Sequence, residues 1–262
     1  MPTEEQKPYL SVIIPCYNEE KNLEMGVLSE VHQYLAQQDY PWEVIIVNDE
    51  STDDSRNLVE RFVANAAHFT LLDIPHGGKP AAVWAGIQKA RGDIVLFTDM
   101  DQSTPIAELD KLLPWYERGF DVVIGSRGTT REGFSIIRQA GSLVFRTMRR
   151  LFLLRGISDT QCGFKSCRRE VAVEAFPRLQ FFKRQDKPQG WKVSAYDVEL
   201  LYLFERGGYA IKEVEVQWQN RDESDTKGQQ GELGRYLKES IEMAKEVLRV
   251  QINRLKGMYD GV

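Results

Sequence analysis

Cysteine is scarce in this 262-residue chain, which has only Cys16, Cys162 and Cys167. Neither their number nor their spacing builds a disulfide framework or a zinc site, so reduced thiols in a cytoplasmic protein are expected. Long apolar runs are missing too. A membrane-spanning helix needs ~18 consecutive apolar residues, and the best candidate, residues 143–154, is shorter and holds Arg146, Arg149 and Arg150. The first eight residues are polar and carry no apolar signal-peptide core. Any contact with a membrane is therefore expected at its surface, on the cytoplasmic face. A net charge of −5 argues against a general nucleic-acid binder. Internal repeats and low-complexity segments are absent. What remains, 42% hydrophobic and 28% charged, suits a globular protein with a substantial core. The length allows one large domain, with or without a small appendage.

Positive charge is concentrated in one place. Between Arg127 and Arg155 lie seven arginines and a single acid, Glu132. In an acidic chain, that segment suggests an anionic ligand such as a phosphate or a lipid headgroup.

Apolar β-type runs alternate with helical patterns through the first half of the chain. Strands are expected at residues 9–15, 42–47, 69–74, 94–98 and 121–125. Helices are expected at 19–38, from a Ser51 or Asp53 cap to about 65, at 79–90 and at 105–118. Such alternation predicts a largely parallel sheet covered by helices. The second half is less regular, with helices at 139–154 and 197–205, a strand at 210–218 and a polar loop at 221–231. From residue 232 onward, Leu233, Leu237, Ile241, Ala244, Leu248, Ile252 and Leu255 recur at helical spacing opposite a charged face. That stripe can dock on the parent domain, lie on a membrane or self-associate.

The chemistry is concentrated where residues 94–97 run into Asp99-Met100-Asp101. A buried strand there delivers two carboxylates to its carboxyl end, where open α/β sheets bind ligands. Two hard oxygen ligands can hold Mg²⁺ or Mn²⁺ against a diphosphate. Other motifs stand in order around them. Ile14-Pro15-Cys16-Tyr17-Asn18-Glu19 closes the first strand, and Asn48-Asp49-Glu50-Ser51-Thr52-Asp53 follows the second. In His76-Gly77-Gly78-Lys79, small residues admit a ligand to the backbone and Lys79 can meet a phosphate. Further on come Gly125-Ser126-Arg127, Arg138 with Ser142, the run Asp159-Thr160-Gln161-Cys162-Gly163-Phe164-Lys165, Asp197-Val198-Glu199, and Arg221 with Lys227.

Over residues 11–227 these motifs resemble family 2 glycosyltransferases of the GT-A fold, and among them the polyprenyl-phosphate hexose synthases that make dolichyl-phosphate glucose and mannose. The resemblance implies an α/β GT-A domain over residues 1–220, with a mainly parallel sheet flanked by helices. Residues 221–262 would form a mobile loop and an amphipathic helical tail. It implies an inverting transfer of a hexose from a nucleotide-sugar donor, UDP-glucose by the Asp159–Lys165 run, onto a polyprenyl phosphate. Pro15, Tyr17 and Glu19 would contact the nucleotide, Asp49 would read the nucleoside, and Asp99 and Asp101 would hold the metal and diphosphate. Ser103 falls where a third metal ligand is often found. Arg127, Arg138, Ser142 and Arg221 would hold the acceptor phosphate, Asp159 would lie near the sugar, and Asp197 would shape its pocket. Cys162 reads as small packing, with no base to make it a nucleophile. Two alternatives stay open. A transferase with a hydroxyl acceptor would need a base, for which Asp159 is the candidate. The other is a noncatalytic nucleotide-sugar-binding protein.

Overall fold

The computed structural model describes residues 6–128, 156–183, 196–223, 245 and 247–259. Arg138, Ser142, Lys227, the helix expected at 139–154 and the tail residues 233–244 lie outside the described residues.

Among the described residues seven strands form one sheet: β1 Leu10–Cys16, β2 Trp42–Asn48, β3 Phe69–Asp73, β4 Ile94–Phe97, β5 Val122–Ser126, β6 Lys165–Arg168 and β7 Ile211–Glu215. Their order is β3-β2-β1-β4-β6-β5-β7. All neighbours are parallel except β6, which runs antiparallel to both β4 and β5. The five strands expected in the first half are present to within two residues at their ends. β6 was not anticipated, and its reversal brings residues 159–165 to the same edge as the carboxyl ends of β1, β2, β4 and β5.

Every residue of β1 and β4 is buried, as expected of central strands covered on both faces. Their side chains alternate between two cores. Ile13, Val95 and Phe97 face one core with Ile45, Val47 and Ile124. Leu10, Val12, Ile14, Ile94 and Leu96 face the other with Val44, Ile46 and Val123. The first core is closed by helix α4, Lys79–Lys89, and by helices Arg169–Ala175 and Tyr196–Arg206. The second is closed by α2, Val27–Leu35, and by the segment from Ile106 to Tyr116.

Several helices differ from the sequence reading. The one expected at 19–38 is split into α1, Glu20–Glu24, and α2, because Gly26 takes a left-handed φ of 82° between them. The one expected at 105–118 is a 3₁₀ turn, Ile106–Glu108, followed by Leu109–Leu112 and Pro114–Glu117. Pro114 has no N–H to carry a single helix through. Helix α3, Ser55–Val63, is capped by neither Ser51 nor Asp53 in the expected way; Asp54 occupies the cap position without a side-chain bond. Ser51 Oγ instead accepts from Asn18 N–H at 3.1 Å, and Asp53 carboxyl oxygens accept from Glu20 and Ser55 N–H. These bonds tie the turn after β2 to the turn after β1.

Helix α4 lies close on the sheet because Gly86 faces Ile13. A Cβ at Gly86 would come 2.4 Å from Ile13 Cγ2. Gly86→Ala is expected to destabilise the protein by about 1–3 kcal/mol through overpacking, read as a lower denaturant midpoint with an unchanged m-value.

Candidate active site

The carboxyl edge of the sheet gathers most of the described candidate residues. At one end, Tyr17 and His76 place their rings 4.6 Å apart at a tilt of 31°. Asp49 lies beneath them, fully buried. Its carboxylate accepts N–H bonds from Gly77 at 2.7 Å and Gly78 at 2.9 Å, and His76 Nδ1 lies 3.0 Å from Oδ2. Asp49 thus holds the 76–78 turn, and the outward aromatic surface comes from Tyr17 and His76. Gly78 has φ of 80°, open to glycine, and starts α4 so that Lys79 points along the edge.

Lys79 reaches Asp99, and the two form an ion pair. Burial alone would raise the Asp99 carboxyl, but Lys79 and Lys165 outweigh it and hold Asp99 below the usual range. Gly163 abuts the same side chain: a Cβ there would stand 2.0 Å from Asp99 Oδ2. The turn after Asp99 is tight. Gln102 takes a left-handed φ of 49°, and its Nε2 donates to the Asp99 carbonyl at 2.9 Å. Gln102 is buried and shapes the turn.

Asp101 accepts from Ser103 N–H at 2.8 Å. Its carboxyl is raised by burial and then by the charge of Asp99. Glu19 is pushed up to about 8, by burial first and then by Asp222, Asp99 and Asp101, against a bond from Asn22. Four carboxyls therefore repel one another here. Among the described residues no three His, Cys, Asp or Glu side chains are arranged around a metal position. The donor set nonetheless suits a hard divalent cation, because such an ion takes one or two protein carboxylates and completes its shell with phosphate oxygens and water. Ser103 is occupied otherwise. Its Oγ accepts from Arg221 N–H at 3.3 Å and its carbonyl from Gln219 N–H at 2.8 Å.

The other end is basic. Arg127, just past β5, grips Asp159 through Nε at 2.7 Å and Nη2 at 2.8 Å, and its own N–H adds a third bond at 3.0 Å. Burial opposes that charge, but Arg127 dominates and holds the Asp159 carboxyl far below the usual range. Trp218 lies 5.7 Å from the Arg127 guanidinium. Behind this pair, buried Lys165 donates to Asp197 at 2.8 Å and to the Cys162 carbonyl. Cys162 is buried and its thiol is raised, as a packing residue requires. Arg221 makes a bidentate pair with Glu30 of α2 at 2.8 Å through each nitrogen. Asp222 and Glu223 lean on Asn22.

Pro15, Tyr17, Glu19, Lys79, Asp99, Asp101, Ser103, Arg127, Asp159 and Asp197 all lie on this edge, and Arg221 is tied to it through Ser103. Sequence reasoning missed Asn22, Glu30, Lys165, Trp218 and Asp222. Lys165 stands inside the Asp159–Lys165 run, and Trp218 and Asp222 lie in the run around Arg221. Nothing in the local pattern marks Asn22 or Glu30, which act across about 200 residues of chain.

An open, mainly parallel sheet with a D-x-D turn at its carboxyl edge, beside a lysine and a basic flank, is the architecture of a GT-A glycosyltransferase. Comparison with known proteins gives the family. The model for "Glycosyl transferase family 2" matches residues 11–176, and the chain belongs to that family and is a glycosyltransferase. It is 31% identical to the dolichyl-phosphate beta-glucosyltransferase ALG5D of Trichomonas vaginalis, over 93% of this chain and 73% of the relative. It is 29% identical to the dolichyl-phosphate beta-glucosyltransferase of Saccharomyces cerevisiae, over 98% of this chain and 78% of the relative. In fold it is similar to glucosyl-3-phosphoglycerate synthase of Mycobacterium tuberculosis, crystallised with Mn²⁺, UDP and glucosyl-3-phosphoglycerate. The TM-score is 0.59 at 20% identity, covering 93% of this chain and 80% of that one.

Two outcomes follow from the charges. Asp159→Asn leaves Arg127 without its counter-ion in a largely buried position, and a loss of about 2–4 kcal/mol in unfolding free energy is expected. Glu19 is raised in the folded state, so its contribution to stability is complete below its unfolded value and is lost as pH rises through about 8. Without metal, Glu19→Gln should therefore raise Tm at pH 8.5 more than at pH 5. Equal shifts at both pH values would contradict the raised value.

Proposed function

We propose that the protein transfers a hexose, glucose from UDP-glucose, onto a polyprenyl phosphate with inversion at the anomeric carbon. The observation that carries this reading is the pairing of Asp159 with Arg127. A hydroxyl acceptor needs a base to remove its proton. Asp159, the candidate for that role, is held ionised by three bonds from Arg127 and is a poor proton acceptor. A phosphate acceptor is already an anion at neutral pH and needs positioning alone. The similarity to dolichyl-phosphate beta-glucosyltransferases over nearly the whole chain supports the same acceptor class.

In this reading the nucleoside lies against Tyr17 and His76, beside Pro15 and on the turn that Asp49 holds. Lys79 leaves Asp99 for the donor phosphates. Asp99 and Asp101 hold Mg²⁺ or Mn²⁺, with Ser103 fixing Asp101. When bound, the cation supplies positive charge that stabilises the departing diphosphate. Asp197, set by Lys165, shapes the sugar pocket. Arg127, Arg138, Ser142 and Arg221 hold the acceptor phosphate in line, which Arg221 does by leaving Glu30; guanidinium groups suit phosphate through paired, charge-assisted bonds. Positioning and electrostatics do the catalysis. The catalytic domain spans residues 1–220, with 221–262 as loop and tail. Among the described residues no helix is long and apolar enough to cross a membrane. We place the protein peripherally on the cytoplasmic face of a bilayer, where a lipid acceptor presents its phosphate.

Incubation with a short polyprenyl phosphate, Mn²⁺ or Mg²⁺, and UDP-glucose or GDP-mannose in parallel tests this. A lipid hexose adduct from UDP-glucose, read by mass, is expected. Donor hydrolysis with no lipid adduct would reject the acceptor. Asp101→Asn should lower turnover by roughly two orders of magnitude or more. Its Tm should not fall, because the substitution removes a charge that its neighbours oppose.

A further inference from the structure

The helical segment at residues 247–255 has two apolar faces, and among the described residues only one of them packs into a core. Val247 and Val250 are buried in the first core, together with Tyr259 just beyond the helix. Tyr259 Oη donates to Glu199 at 2.8 Å, and Arg249 Nη2 donates to the other Glu199 oxygen at 3.1 Å. Arg206 Nε donates to the Tyr259 carbonyl at 3.1 Å. These bonds seat the segment on helix Tyr196–Arg206 and fix which way it faces.

The face left outside contains residues expected from sequence to form the tail's apolar stripe. Leu248, Ile252 and Leu255, spaced by four and three, are 53%, 49% and 80% exposed, and Met258 follows at 43%. Helical geometry puts the first three in one row. Four of the seven large hydrophobic side chains exposed among the described residues thus fall within eleven positions. Scattered exposed apolar residues are ordinary, but a contiguous row marks a contact surface. Lys245 and Lys256 are exposed and fall on one flank of the row at helical spacing, and Glu246 is the one acidic residue in the sequence at positions 245–259. In a chain of net charge −5 this is a local reversal of sign. A second copy packed on this face would bring like charges together along its edges, whereas anionic headgroups complement them.

We propose that this face lies flat on an anionic lipid surface, with Leu248, Ile252, Leu255 and Met258 set among the headgroups and Lys245 and Lys256 on their phosphates. The inference rests on the membrane-surface part of the proposed function and names the element that carries it. Vesicle binding is measured without donor or acceptor, so it can fail while transfer to a soluble short-chain acceptor stands.

Flotation of the full chain with neutral phosphatidylcholine vesicles, and with vesicles containing about one third phosphatidylglycerol, tests it. Binding should be stronger to the anionic vesicles and should weaken with salt. The double variant Ile252→Glu, Leu255→Glu should lower the bound fraction about ten-fold or more, with Tm and UDP binding unchanged. Lys245→Gln with Lys256→Gln should remove the preference for anionic lipid. Absence of binding by the unaltered chain, or equal binding by the double glutamate variant, would overturn the proposal. So would a dimer in sedimentation velocity that the glutamates convert to a monomer, because a second copy would then own the face.

Discussion

Asp99 sits at the centre of a charge problem that the rest of the site is arranged around. Its carboxylate faces the charges of Asp101 and Asp222 and contributes to the crowding at Glu19. Lys79 offsets it from one side and Lys165 from behind, while Asp197 lies within reach of both lysines. Opposite charges alternate from Asp99 through Lys79 and Asp197 to Lys165, and Asp101 adds a second negative charge at the Asp99 end. Such a row favours the ionised form of Asp99 against its burial, while Asp101 beside it is raised by burial and by the Asp99 charge. Gly163 contributes the remaining condition. Only a residue without Cβ lets the backbone after Asp159 lie against Asp99, so the acidic and basic halves of the edge meet there.

The two described arginines assigned to the acceptor are already committed within the protein, Arg127 to Asp159 and Arg221 to Glu30. The two pairs differ in kind. Arg127 is largely buried and triply bonded, so it is a fixed element that presents its remaining donors. Arg221 pairs with a carboxylate on an exposed helix face, where water screens the attraction and exchange for a doubly charged phosphate is easy. The segment carrying Arg221 is also strapped to Ser103 and Asn22. Movement of that arginine therefore reaches the D-x-D turn directly, through Ser103 and its bond to Asp101.

Much of the fold was legible because central strands buried on both faces are continuous apolar runs. The strands Leu10–Cys16, Trp42–Asn48 and Ile94–Phe97 announce themselves, and so does the point where each releases polar residues. Strand Lys165–Arg168 does not. It has four residues, begins on a lysine and ends on an arginine, and owes its place to pairing with β4 and β5 rather than to any local pattern. Gly26 and Pro114 break helices whose apolar spacing runs through both positions. In the site, residue types showed where charge would gather but not which partner would take it. Asp49 was expected to face a nucleoside, yet it turns to backbone N–H groups that no sequence pattern announces. In the tail, the regular spacing of Leu248, Ile252 and Leu255 was real, but the protein buried the neighbouring Val247 and Val250 instead.

The antiparallel strand β6 has a further consequence. In the sheet order it is the sole link between the four strands β3, β2, β1 and β4 on one side and β5 and β7 on the other. The carboxylates of the D-x-D turn belong to the first group, and Arg127, just past β5, to the second. The relative position of the two along the strand direction is therefore set by the register of Lys165 to Arg168 against β4 and of Lys165 to Cys167 against β5. A slip of two residues on either side would move one group past the other by about 6.6 Å, farther than any hydrogen bond in the site could follow. This short strand acts as the gauge block of the molecule, holding the D-x-D turn and Arg127 at one spacing.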